Sequence, residues 1–154
     1  MIRQRLGKDL LFFDGGMGTL LQEKGLAPGE LPETWNLTHS EEIYKIHRQY
    51  IEAGSDIILT NTFGANALKF HDDSCSLEEI IKAAVSHVKK AEREALLQTG
   101  DERKIYTALD VGPTGKLLKP MGDLEFETAY EAFKEVVILG EQAGADLIHI
   151  ETMS

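Results

Sequence analysis

Four short apolar runs, each closed by a polar residue and a turn, organise this chain. They are Leu10-Leu-Phe-Phe13 ending at Asp14, Ile57-Ile-Leu-Thr60 ending at Asn61, Ile105-Tyr-Thr-Ala-Leu109 ending at Asp110, and Leu147-Ile-His-Ile150 ending at Glu151. Near-continuous apolar runs are what strands buried on both faces of a parallel sheet show; a strand with one wet face alternates instead. Between the runs the period changes to that of helices. Ser40 to Ala53 places Ile43, Ile46, Tyr50 and Ile51 on one side, and Gly54 stops it. Ser76-Leu-Glu-Glu79 is a capping-box pattern ahead of Ile80, Ile81, Ala84, Val85, Val88 and Ala91, with Gly100 as the stop. Phe126 to Ala143 repeats the theme with Ala129, Phe133, Val136 and Val137, ending at Gly144. A short helix is predicted over Leu20–Lys24, and Gly25 to Asn36, with Pro28, Pro32 and Trp35, reads as a long irregular connection. Connections of that length in a compact domain are usually functional or mobile.

One phrase occurs almost twice. Residues 53–62 read AGSDIILTNT and residues 143–152 read AGADLIHIET, an offset of 90 positions. Each copy runs from a helix exit through a strand to a polar strand end. A βα unit that repeats itself is the mark of a (β/α)₈ barrel, whose chemistry sits at the C-terminal ends of its strands. A whole barrel takes about 250 residues. The fold expected here is therefore α/β, the N-terminal half of a TIM barrel, as one domain over residues 1–154. An open doubly wound sheet is the rival, since four βα units could build either. The echo between the second and fourth strands favours the barrel, where alternate strands fill the same interior layers.

Composition is that of an ordinary globular protein, 42% hydrophobic and 27% charged. The net charge of −10 argues against nucleic acid or an anionic membrane surface as partner. A single cysteine, Cys75, excludes an internal disulfide and fits a reducing compartment. The first apolar run is too short for a signal-peptide core or a membrane span, so the expected location is cytoplasmic.

In a parallel sheet the strand ends share one face, so Asp14, Asn61, Asp110 and Glu151 should converge on a single mouth. Each could instead merely cap the next turn or helix, as Asp and Asn often do. Glu151 resists that reading, because glutamate is a poor cap and is costly to bury unpaired; a substrate ammonium would suit it. The run Asp14-Gly-Gly-Met-Gly-Thr19 lies between a strand and a helix. Its amides could hold a small anion such as a carboxylate, or it could be no more than a tight turn. It is not a P-loop, lacking Gly-Lys-Ser/Thr, and Leu21 stands where a dinucleotide fingerprint needs its third glycine. Amides at Gly18 and Thr19 opposite Glu151 would make a pocket for an α-amino acid. The five histidines, His39, His47, His71, His87 and His149, have no metal-ligand spacing. His47 and His87 read as surface or boundary positions on helices, His149 as a core histidine, and Cys75 as incidental.

Taken together, DGGMGT at 14–19, TNTFGAN at 60–66, LDVGPTG at 109–115 and IETMS at 150–154 resemble the homocysteine S-methyltransferase domain family. The resemblance spans the whole chain. It implies a (β/α)₈ barrel that binds L-homocysteine at its C-terminal mouth and transfers a methyl group to the sulfur, giving methionine. It implies that the amides of Met17, Gly18 and Thr19 take the carboxylate, that Asp14 and Glu151 surround the amino group, that Asn61 and Thr62 line the mouth, and that Trp35 lies close by; Asp110 joins the candidates as a strand end. It also implies a zinc ion held by three cysteines, which keeps the sulfur a thiolate. The implied methyl source is cobalamin recharged from methyltetrahydrofolate, on other domains or on a separate corrinoid protein.

The chain departs from that pattern in one respect: it has no adjacent cysteine pair, and Cys75 matches none of the zinc positions. The expectation is an amino-acid-recognition half without a metal site of its own, inactive alone. It would be a shortened form of a longer enzyme or a half-barrel needing a partner. Two other readings stay open. One is a non-catalytic binding module that forms homo-oligomers through the open edges of strands one and four. The other is a different barrel enzyme holding a metal on Asp14, Asp110 and Glu151.

Overall fold

The repeated Ala-Gly-x-Asp phrase is a clasp between helix exit and sheet. The computed structural model describes residues 2–70, 74–100 and 102–153. Its elements in chain order are α1 (Met17–Glu23), α2 (Trp35–Thr38), α3 (Ser40–Ala53), β1 (Ile57–Leu59), α4 (Leu77–Thr99), β2 (Tyr106–Val111), α5 (Phe126–Ala143) and β3 (Leu147–Ile150). Gly54 and Gly144 stop α3 and α5 with φ of 112° and 95°, the left-handed conformation glycine adopts without a Cβ penalty. Two residues later an aspartate grips one residue of the preceding strand by both backbone groups. Asp56 N donates to Phe12 O at 2.8 Å while its Oδ2 accepts from Phe12 N at 3.1 Å. Asp146 N donates to Thr107 O at 2.8 Å while its Oδ2 accepts from Thr107 N at 2.9 Å. The echo in the sequence is thus the same clasp made twice.

The strands pair in parallel in the order β1-β2-β3, with Ile57 opposite Tyr106 and Ala108 opposite Leu147. Leu10–Phe13, predicted as a full strand, lies parallel to β1 but makes a single bridge, Phe13 to Ile57. Beyond that bridge Leu59 N donates to Asp14 Oδ2 at 3.0 Å, so a side chain stands where the next rung of the ladder would run.

All three long helices cover one face of this sheet. Ile58 and Ile105 pack with Tyr44, Ile51, Val88 and Ala91 of α3 and α4. Leu109 and Val111 pack with Ile80, Ile81 and Val136 of α4 and α5. The opposite face, with Ile57, Tyr106, Ala108, Leu59 and Leu147, packs against Leu11 and Ile2 alone among the described hydrophobic residues. A sheet in sequential order with its helices on one side is a barrel wall; a doubly wound sheet reverses its order and carries helices on both faces. No helix among the described residues is long and apolar enough to cross a membrane.

The three predicted long helices form as expected. Ser76 and Glu79 close the predicted capping box: Glu79 N donates to Ser76 Oγ at 3.2 Å and Ser76 N to Glu79 Oε2 at 2.8 Å. The irregular connection is only half irregular, since Pro32–Thr34 forms a 3₁₀ turn that runs into α2. His47 corrects the surface reading: it is fully buried, at 0% exposure, and neither ring nitrogen has a hydrogen-bond partner among the described residues. It falls on the stripe Ile43, Ile46, His47, Ile51 that α3 turns to the core. Burial, and then the neighbouring His87, push it down to about 3, so it stays neutral.

Gly140 lets α5 touch the sheet: a Cβ there would lie 2.4 Å from Leu109 Cδ2. Leu109 is buried and cannot yield freely. Gly140→Ala is therefore expected to destabilise the fold by about 1–3 kcal/mol through overpacking, read from the midpoint of urea unfolding. A stability unchanged or increased would show that the contact relaxes at no cost.

Candidate functional site

The strand ends open into a cavity of about 440 Å³. Of the residues predicted for the site, Asp14, Met17, Gly18, Asn61, Asp110 and Glu151 line it. Thr19, Thr62 and Trp35 do not. Thr19 lies exposed on α1. Trp35 is packed with Leu21, Ile43 and Ile46, its ring stacked on His39 at 4.0 Å and its Nε1 donating to Glu30 Oε1 at 2.7 Å.

Thr62 works on the backbone. Its hydroxyl donates to Asp110 O at 2.7 Å and lies 2.7 Å from Thr60 Oγ1, which accepts from Asp110 N at 3.1 Å. The two threonines of β1's end thereby hold Asp110 at the end of β2 by both its backbone groups. Asn61 serves the rim. Its Nδ2 donates to Pro32 O at 2.8 Å and to Asn36 Oδ1 at 3.3 Å, while Asn36 Nδ2 returns a bond to Asn61 O at 2.8 Å.

That pinned rim delivers a residue the sequence reading missed. Glu33 is 3% exposed, lines the cavity, and accepts from Gly64 N through Oε1 at 2.6 Å. A Cβ on Gly64 would lie 2.8 Å from that oxygen, so the glycine of the TNTFGAN motif makes room for it. The signal was present in a glutamate inside a proline-bearing loop, but nothing in its spacing distinguished it from a solvated one.

Four carboxyl groups, Asp14, Glu33, Asp110 and Glu151, therefore line one cavity, and among the described residues its lining holds no Lys, Arg or His. Asp14 Oδ2 accepts from Leu59 N at 3.0 Å, but its Oδ1 is buried without a partner. Burial pushes its carboxyl up to about 7, against the lowering effect of that amide. Asp110 is also up at about 7, through burial first and then the charges of Glu151, Asp14 and Glu33 and a hydrogen bond with Glu151; its Oδ1 too is buried and unpartnered. Thr152, next to Glu151, has φ 56°, a left-handed conformation that β-branched residues rarely adopt and that tends to occur at functional sites. On the other wall Gly15 to Gly18 lead into α1, whose Gly16 N-cap makes no side-chain cap. The first-turn amides of a helix so capped remain free to meet an anion. Tyr50 holds this turn, its hydroxyl donating to Gly16 O at 3.3 Å. An acidic wall facing a turn of amides suits a zwitterion.

The profile of the homocysteine S-methyltransferase family matches residues 11–154. The chain belongs to this family. Methionine synthase of Mycobacterium leprae (strain TN) is 30% identical over 155 residues, covering 97% of this chain and 13% of that protein. The metallated form of the homocysteine methyltransferase MmuM from Escherichia coli superposes with a TM-score of 0.83 at 23% identity, over 99% of this chain and 57% of that one. Its apo form gives 0.69 at 25% identity, over 92% and 49%. The chain is thus part of a TIM barrel, spanning about half the length of that relative and a small part of methionine synthase.

A cysteine-held zinc does not fit the residues present. The single cysteine, Cys75, packs beside the cluster under α4 and α5 and does not line the cavity. Among the described residues no group of three or more His, Cys, Asp or Glu is placed to hold a metal, so a metal on Asp14, Asp110 and Glu151 finds no support either.

The raised carboxyls have a consequence for stability. The folded chain keeps protons on Asp14 and Asp110 that an unfolded chain gives up above about pH 4. Stability from this source is present below about pH 4 and is lost as pH rises through about 7. Asp110→Asn removes one such group, so thermal melts should show the variant a few degrees more stable than the parent at pH 8 and nearly equal to it at pH 4. A variant less stable at pH 8 would contradict this account of the cavity.

Proposed function

We propose that this chain supplies the amino-acid-binding half of an enzyme that methylates the sulfur of L-homocysteine to give methionine. The observation that carries the reading is the pairing, across one cavity, of four carboxyls, with no Lys, Arg or His beside them in its lining among the described residues, with the amides of the glycine-rich turn. The α-ammonium sits between Asp14 and Glu151, where it neutralises charge that is otherwise buried at a cost. The α-carboxylate faces the amides of Met17 and Gly18, the two residues of the turn's helical end that line the cavity. Held at both ends of its α-carbon, the ligand directs its thiol away from this wall. The methyl donor belongs elsewhere in the longer protein or on a partner: cobalamin, recharged from methyltetrahydrofolate, is the donor this family membership favours, and the zinc would be held by residues outside this sequence. An acidic chain without a membrane-spanning helix among its described residues suits a cytoplasmic enzyme.

A second reading draws on the margins of the sheet. Leu10 and Phe12 at one edge, and Ile148 and Ile150 at the other, are exposed. Two copies could cover these margins, and a homocysteine-dependent change in sedimentation would favour that assembly.

Calorimetric titration tests the main reading. L-Homocysteine should bind while its N-acetyl derivative, lacking the ammonium, should not. Glu151→Gln should weaken binding tenfold or more, as expected for loss of a charged hydrogen bond. Equal binding of both compounds, or no effect of the substitution, would defeat it.

A further inference from the structure

Asp110 and Glu33 are the two buried acids of the cavity, and Asp110 is the one that ends a strand. It is 6% exposed, lines the cavity, and leaves Oδ1 without a partner. Its backbone is held at both groups, the amide by Thr60 and the carbonyl by Thr62. Asp110 pairs in register with His149 on β3, and Glu151 N donates to Val111 O at 3.2 Å, so Asp110 and Glu151 end adjacent strands on the same sheet face. The groups facing them are Asp14 beyond the first apolar run, Glu33 from the rim and His149, whose ring lies 5.1 Å from that of Phe13. No Lys or Arg lines the cavity among the described residues.

Two carboxyls side by side in a buried acidic site cannot both ionise cheaply; they share a proton, as paired catalytic aspartates do. We propose that Asp110 and Glu151 hold one proton between them in the ligand-free chain and release it when a cationic amine takes its place. The inference rests on the homocysteine reading for the identity of that amine. Only an O–H bond of the pair breaks; the proton passes to solvent and no electrons move. The exchange makes the cavity selective for a charged amine, since a neutral ligand brings nothing to replace the proton. Burial and the neighbouring charges put Asp110 at about 7, so the exchange falls in the physiological range. Affinity should rise about tenfold per pH unit below that value and level off above it. Asp14 titrates in the same range, so the profile belongs to the cluster, and substitutions must apportion it.

The test follows the carboxyl carbons of the ¹³C-Asp/Glu-labelled chain by NMR against pH. An Asp110 signal with a midpoint near 7, moved down by about one pH unit in Glu151→Gln and lowered in the parent by methylammonium, supports the exchange. Asp110 and Glu151 both titrating below about pH 5, or a midpoint indifferent to both Glu151→Gln and methylammonium, overturns it. Asp110→Asn serves as the assignment control. Titration with L-homocysteine at pH 6.5 in two buffers of different ionisation enthalpy should then show proton release in the parent that Asp110→Asn reduces. Binding without release overturns the exchange. If homocysteine fails to bind while methylammonium moves the midpoint, the substrate assignment falls and the proton exchange stands.

Discussion

The double grip of Asp56 on Phe12 and of Asp146 on Thr107 fixes the register on which the rest of the molecule depends. Side chains alternate across a strand, so a slip of one residue would turn every inward group outward. Asp110 and Glu151 would then face the helices, and Leu109 the cavity. Each clasp also ties strand entry to the glycine that ends the preceding helix, so the packing of α3 and α5 and the position of the strand ends are set together. Salt bridges from Lys89 to Asp146, at 2.6 Å, and from Arg5 to Asp56, at 3.5 Å, add charge to the same two residues. The repeated phrase survives in the sequence because the chain needs the same joint in two places.

With register fixed, the parallel sheet sends its strand ends to one side, and here those ends are acidic. The molecule then carries an electrostatic load it does not relieve internally. Glu33, Asp14, Asp110 and Glu151 line the cavity together, and no basic side chain among the described residues does. A fold selected for stability alone would place an arginine there or replace an acid by a leucine. The load makes physical sense as a seat for a cation arriving from outside, and the family to which the chain belongs acts on an amino acid. The threonines of β1's end keep Asp110 in place against the repulsion, and the Asn36–Asn61 link does the same for the rim that carries Glu33.

Much of this was legible in the residues because local chemistry decides it. The capping box at Ser76, the glycine stops at 54, 100 and 144, and the apolar runs of β1 to β3 require no knowledge of tertiary neighbours. Asp14, Asp110 and Glu151 could be placed at one mouth because parallel topology follows from βα alternation. What could not be read depends on contacts between distant segments. The Leu59 amide turns to the Asp14 side chain 45 residues away, which cuts short the pairing of the first strand. Trp35, at the start of α2, turns into the core between α1 and α3. Glu33 enters the cavity only because Asn61 and Asn36 pin its loop. His47 lay in plain view on an apolar stripe, and a polar residue type was taken for a polar position.

On the proposed function, the walls of this cavity recognise the α-amino acid frame of homocysteine by its charges. Amide chemical-shift mapping of the ¹⁵N-labelled chain with L-homocysteine tests it most directly. Perturbations are expected at Gly16 to Gly18 together with Asp110 and Glu151, the two walls of one cavity. Shifts confined to one wall, or centred on the charged groove between α3 and α4 around Arg48 and Lys90, would contradict it.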